Sequence, residues 1–161
     1  MLTYADHNSL PNLYKILTGE IMPKHIWVDA TRCSGCKICE QICAKTHYNA
    51  QNPSKAALKI HTVFTEEKIW HTHSVCQQCG PNAPCIKACP TGALYWETNG
   101  KMAHLAINLD KCEGHFLCVS ACPFNAIYRH PTIGNPIFCD LCGGEPQCMR
   151  WCPMGAIRLV E

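Results

Sequence analysis

The chain has 161 residues and a formal charge of +2, room for one ordinary domain or two very small ones and too little net charge to draw nucleic acid or an anionic membrane. Leu, Ile, Val and Phe together number 33, at the edge of what sustains an apolar core, so something besides packing must hold the chain together. No apolar run reaches membrane-span length, and Met1-Leu-Thr-Tyr-Ala-Asp-His7 has no basic n-region, h-region or twin arginine, so a cytoplasmic location is expected, or export on a partner's signal.

In chain order, Leu10, Leu13, Ile16 and Leu17 fall at helical spacing behind Pro11. Residues 1–25 are expected to be a docking arm onto a larger subunit, or an arm packed on its own body. Short strands are expected at 26–29, 58–64, 94–97, 104–108 and 157–160, and short helices at 40–43, 86–89, 119–122 and 149–152. Glycine and proline punctuate the remainder, as at Gly80-Pro81, Pro84, Gly134, Pro136 and Gly143-Gly144.

The fifteen cysteines fall into four groups. The first is Cys33-x2-Cys36-x2-Cys39-x3-Cys43. The second is Cys76-x2-Cys79-x5-Cys85-x3-Cys89-Pro90. The third is Cys112-x2-His115-x2-Cys118-x3-Cys122-Pro123, and the fourth Cys139-x2-Cys142-x5-Cys148-x3-Cys152-Pro153. The compact and long spacings alternate, which makes an internal repeat of a two-motif unit at about residues 26–94 and 103–160. The tails repeat as well: Cys89-Pro-Thr-Gly-Ala93, Cys122-Pro-Phe-Asn-Ala126 and Cys152-Pro-Met-Gly-Ala156 share one pattern, from which the first group departs with Ala44 after Cys43.

Two cysteines at x2 spacing turn both thiolates toward one metal centre, and a third completes the grip. A helical turn then points the fourth toward a neighbouring centre, and proline stops the helix. This is the bacterial [4Fe–4S] run, whose fourth cysteine serves the other cluster of a pair. Zinc takes four ligands in paired Cys-x2-Cys units and has no use for such a row. Disulfides fit neither the odd count nor the spacing.

On these motifs the sequence resembles the four-cluster iron–sulfur electron-transfer subunits of multi-subunit oxidoreductases, of the dimethyl sulfoxide reductase beta-subunit type, over about residues 26–160. Cys43-Ala-Lys-Thr-His47 running to Asn52-Pro-Ser54, Cys76-Gln-Gln-Cys79 and Cys139-Asp-Leu-Cys-Gly-Gly-Glu-Pro146 are similar to the short branch beside tungsten aldehyde oxidoreductases, hydrogenases and carbon monoxide dehydrogenase. The resemblance implies an α+β fold of two ferredoxin-like halves related by a pseudo-twofold axis, with little regular secondary structure, over residues 26–161. It implies four [4Fe–4S] clusters in a row. One set of ligands would be Cys33, Cys36, Cys39 and Cys152, and its partner Cys139, Cys142, Cys148 and Cys43. A third would be Cys76, Cys79, Cys85 and Cys122, and the fourth Cys112, Cys118 and Cys89 with position 115.

Position 115 departs from that pattern, with histidine where the family has cysteine. Histidine can ligate cluster iron, so a His115-ligated [4Fe–4S] cluster is expected; a [3Fe–4S] cluster beside His115 and an empty site are the alternatives. His71 and His73 lack a third donor at fitting spacing, and His47 is expected to cap or pack near a cluster. Trp70, Trp96, Trp151 and Tyr128 are expected to shield clusters from water. Arg32, Lys37, Lys87, Lys111 and Arg150 lie in or beside motifs, where they either balance the thiolates or are ordinary surface charge.

No nucleophile–base pair, paired carboxylates or phosphate loop is present, so the chain is expected to be non-catalytic by itself. It reads as an electron wire between a catalytic subunit, implied to hold a tungsten or molybdenum pterin, and a flavin/NAD or ferredoxin partner. A hydrogenase, formate dehydrogenase or carbon monoxide dehydrogenase subunit is the alternative, as is a free polyferredoxin. Nucleic acid is not an expected partner.

Overall fold

A computed structural model describes residues 23–98 and 101–161; the segment carrying Leu10, Leu13, Ile16 and Leu17 lies outside the described residues. The architecture is α+β with little regular structure: among the described residues, four separate two-stranded antiparallel sheets and four short helices. Strand β1 (His25–Val28) pairs with β8 (Ile157–Val160), Val28 facing Ile157. Ile26, Val28 and Ile157 are buried, while Trp27 faces Arg158 and takes its guanidinium over the ring at 4.6 Å. Strand β4 (Leu94–Glu97) pairs with β5 (His104–Ile107). The expected strands at 94–97 and 157–160 match residue for residue, and those at 26–29, 58–64 and 104–108 differ by one residue at one or both ends.

Three strands, β3, β6 and β7, were not anticipated. Strands β2 (Lys59–Phe64) and β3 (Ile69–Ser74) form a hairpin closed by Thr65, whose N–H donates to Lys68 O at 3.0 Å. Its Thr-Glu-Glu-Lys turn contains neither Gly nor Pro, the residues that usually announce one. Strands β6 (Tyr128–His130) and β7 (Ile133–Ile137) pair through a bulge, and Pro136 masks β7 in the sequence.

The helices are α1 (Ile38–Tyr48), α2 (Pro84–Lys87), α3 (Leu117–Ala121) and α4 (Gln147–Arg150). All four helices begin two residues earlier than the sequence pattern suggests, and α2, α3 and α4 end before the Cys-Pro dipeptide, because the residue before proline is pushed out of helical geometry. Helix α1 has Ala44 where the others have proline, so it runs on through Cys43.

Packing makes two apolar clusters. Ile26, Val28, Leu58, Ile60, Leu141 and Ile157 centre the first; Leu94, Leu105, Ile127 and Phe138 centre the second. Helices α1 and α4 meet each other, as do α2 and α3. Among the described residues no helix is long and apolar enough to cross a membrane.

Candidate metal centres

All four motifs bend alike. The residue before the second ligand position is left-handed in each: Gly35 (φ 67°), Gln78 (51°), Gly114 (70°) and Leu141 (54°). So is the residue after it: Lys37 (58°), Gly80 (83°), Phe116 (57°) and Gly143 (66°). Turns of this kind aim successive backbone N–H groups into one concavity, a seat for an anionic group. His115 stands in this frame in the place that Cys36, Cys79 and Cys142 hold.

The third cysteines, Cys39, Cys85, Cys118 and Cys148, are each the second residue of a helix and are all buried. The fourth cysteines accept backbone hydrogen bonds at sulfur. Cys122 and Cys152 accept from Ala126 N–H at 3.4 Å and Ala156 N–H at 3.3 Å, four residues on. Cys43 accepts from Ala57 N–H at 3.3 Å, so a distant residue does for the proline-less first motif what the repeated alanine does elsewhere. Cys89 lies 3.6 Å from Thr91 Oγ1. Partial burial pushes the Cys89 thiol up, but hydrogen bonds from Leu94, Thr91 and Ala93 outweigh that and leave it below its ordinary value.

Burial, then neighbouring thiols, pushes most of the others up, and the neighbours reveal the company each keeps. Cys76 is raised to about 12, with Cys79, Cys85 and Cys122 beside it. Cys85, at about 11, feels Cys122, Cys79 and Cys118. Cys118 feels Cys89 and Cys112. Cys148, at about 12, feels Cys142, Cys43 and Cys39. Cys39, also at about 12, feels Glu40, Cys33 and Cys36. Cys152 packs in the first apolar cluster with Cys33 and Cys39.

Cavities open at two of these gatherings. Cys89, Cys112, His115 and Cys118 line one. Cys76, Cys79, Cys85 and Cys122 line another.

The donor chemistry fits iron–sulfur clusters. All fifteen cysteines are free thiols, and a metal that binds them removes the proton outright. Among the described residues no three cysteine sulfurs lie within 4.8 Å of one another. A single zinc ion with Zn–S bonds of about 2.3 Å would draw its sulfurs closer than that.

Several polar residues are placed by contacts that no spacing announces. Gln78 is fully buried and bonded at both ends of its amide. Glu40, beside Cys39, is buried and accepts from Ile60 N–H at 2.8 Å. Lys59 is a half-buried cation near Glu40 and Cys43. His71 lies against Gly35 in the first motif. His47 packs near the cysteines as expected, with Nε2 3.6 Å from Cys142 Sγ and 3.5 Å from Asp140 Oδ1. Neither His71 nor His73 belongs to the single metal-type grouping among the described residues, which is His47, Asp140 and Cys142.

Trp151 corrects the shielding expectation: it is 56% exposed, because it sits at the solvent side of α4's end. Trp70, Trp96 and Tyr128 are partly buried. Arg32, Lys37, Lys87, Lys111 and Arg150 are all exposed.

Buried thiols gathered in recurring left-handed frames define an iron–sulfur protein. Comparison with known proteins agrees. Residues 75–126 match the 4Fe–4S dicluster domain. The chain is 36% identical over 140 residues to the aliphatic sulfonate oxidoreductase polyferredoxin-like subunit of Pyrococcus furiosus, covering 83% of this chain and 75% of that one. It is 31% identical to the thiosulfate reductase electron transfer subunit of Salmonella typhi, covering 88% and 76%. It is 29% identical to the B subunit of the anaerobic dimethyl sulfoxide reductase of Escherichia coli, covering 81% and 70%. The protein belongs to this family, the iron–sulfur electron-transfer subunits of oxidoreductase complexes.

Proposed function

We propose that the chain carries four clusters in a row and relays electrons between a catalytic subunit holding a tungsten or molybdenum pterin and an external donor or acceptor, in the cytoplasm. The observation that carries the reading is the left-handed frame that recurs at all four motifs, with thiols of different motifs brought beside one another on it. The sets are Cys33, Cys36, Cys39 and Cys152; Cys139, Cys142, Cys148 and Cys43; Cys76, Cys79, Cys85 and Cys122; and Cys112, His115, Cys118 and Cys89. Strand pairing supports a pseudo-twofold arrangement: β1, which precedes the first motif, pairs with β8, which follows the fourth, and β5, which precedes the third, pairs with β4, which follows the second. Contacts of α1 with α4 and of α2 with α3 support the same division.

When bound, such clusters take up and release single electrons. The chain's own residues space them, exclude water and donate N–H groups to sulfur, as Ala57, Ala126 and Ala156 do. Hydrogen bonds to sulfur and solvent exposure set the potential. Elemental analysis of the complex purified anaerobically tests the proposal. About sixteen irons per chain with tungsten or molybdenum in the same complex is the expected result; iron alone, with no large partner, would discard the subunit reading.

The exchange of fourth ligands has a separate consequence. Cys152→Ala and Cys33→Ala, changes far apart in the chain, are expected to abolish the same EPR signal. Loss of different signals would refute the ligand sets.

At position 115 the proposal is a histidine-ligated [4Fe–4S] cluster, supported by the left-handed frame that His115 shares with Cys36, Cys79 and Cys142. Replacing one thiolate by a neutral ligand makes a cluster less negative, which raises its potential. His115→Cys is expected to lower the potential of one cluster and to change its Mössbauer and EPR spectra. Identical spectra and iron content in the two proteins would sink ligation by His115. The side chain is 47% exposed with Nε2 3.6 Å from Glu113 Oε2, and that exposure favours a second reading, a [3Fe–4S] cluster with His115 beside it, which gains one iron in the His115→Cys variant.

A further inference from the structure

We propose that Gln78 is the positioning residue that couples the two halves of the electron wire; this rests on the four-cluster reading above. Gln78 lies between Cys76 and Cys79 and is 0% exposed. Its Nε2 donates to Cys139 O at 2.7 Å, and its Oε1 accepts from Leu105 N–H at 2.8 Å. One side chain thus ties the second motif to the first ligand of the fourth motif and to the strand that leads into the third.

The backbone at this position argues that the side chain is there for a reason. Its φ of 51° is left-handed, a conformation glycine adopts without strain. Two of the three equivalent positions, Gly35 and Gly114, are glycine. The third, Leu141, is also fully buried and fills apolar space without needing a partner. At position 78 an amide occupies an apolar setting, which is unfavourable unless both its ends are bonded. A strained residue of this sort persists where its surroundings over-determine it.

What over-determines Gln78 is the seam between the halves. Cys139, the residue it holds, packs against both apolar clusters. Cys139 is itself partly buried, and its carbonyl is the group that Gln78 holds, so the segment 76–79 and Cys139 mark where the ligand segments of the two halves meet. Electron transfer across the seam depends on how closely and how rigidly these two segments are held, and the Gln78 amide fixes one against the other.

The test uses the full chain purified anaerobically with its clusters, as wild type and as the Gln78→Gly, Gln78→Met and Gln78→Glu variants. Glycine suits the backbone and removes the side chain. Methionine keeps the length and removes both hydrogen bonds. Glutamate still accepts from Leu105. Iron and sulfide content of the wild type judges the four-cluster reading by itself, before any variant is compared. The readout is the magnetic interaction between reduced clusters in EPR. Gln78→Gly and Gln78→Met are expected to keep wild-type iron and the interactions within each half, and to lose the splitting that arises between halves. Gln78→Glu is expected to keep part of that splitting. Wild-type splitting in both Gln78→Gly and Gln78→Met overturns the proposal. Loss of iron from both also overturns it, by reducing Gln78 to a folding residue.

Discussion

Removing iron with a chelator under reducing conditions is expected to unfold the chain, with loss of the cooperative melt and of most of its circular dichroism. The reason is that packing alone holds little. Each of the four sheets has two strands, and an isolated two-stranded sheet is marginal in water. The apolar clusters are themselves built partly of ligands: Cys39 and Cys148 belong to the buried set of the first, and Cys76, Cys85 and Cys118 to that of the second. Without metal these positions hold thiols whose only contribution is modest apolar contact. With metal, the ligand sets proposed above would link distant segments, such as those that follow β1 and precede β8. Binding energy at such sites is folding energy, because the unfolded chain has no formed site. An iron-free chain with unchanged dichroism and an unchanged melt would refute this account.

A change of one methyl group at Gly35 should have the next largest effect. A Cβ there would stand 2.3 Å from Cε1 of His71, and 2.7 and 2.8 Å from its two ring nitrogens. The ring cannot simply swing away, since it sits on β3 with Nδ1 3.2 Å from Thr62 Oγ1. The φ of +67° adds strain for any side chain. Left-handed strain of about 1–2 kcal/mol and overpacking of about 1–3 kcal/mol fall on the loop that carries Cys33 and Cys36. Gly92, at φ +62° with nothing within 4 Å of its Cβ position, supplies the control. Gly92→Ala should bear the strain alone, whereas Gly35→Ala should melt several degrees lower and lose iron from one site. Equal melting temperatures and equal iron in the two variants would show that the His71 contact does not matter.

These two changes differ in how far the sequence foretells them. Iron removal was foreseeable from the cysteine spacing and the thin supply of aliphatic residues. The Gly35 clash was not, because His71 arrives from a hairpin whose turn, Thr65-Glu-Glu-Lys68, carries neither of the residues that mark a turn. The helices were foreseen beside the right ligands but two residues late in all four motifs. The left-handed residue that launches a helix leaves no mark in side-chain chemistry when it is Phe116 or Lys37. Trp151 was misplaced for a related reason. Hydrophobicity argues for burial, but the end of α4 faces outward.

By itself the sequence determined the class of cofactor and the repeat, because soft-metal ligation demands cysteines at short, fixed spacings. It also determined where chain segments must break, because proline after the fourth cysteine excludes helix locally. Only the tertiary structure decided which distant strands pair, that Ala57 serves Cys43 as Ala126 serves Cys122, and that a glutamine inside one motif is bonded to the backbone of another. The strand pairing joins residues as far apart in the chain as His25 and Val160. Such contacts depend on how buried groups satisfy one another in space, and no local pattern of residues encodes that.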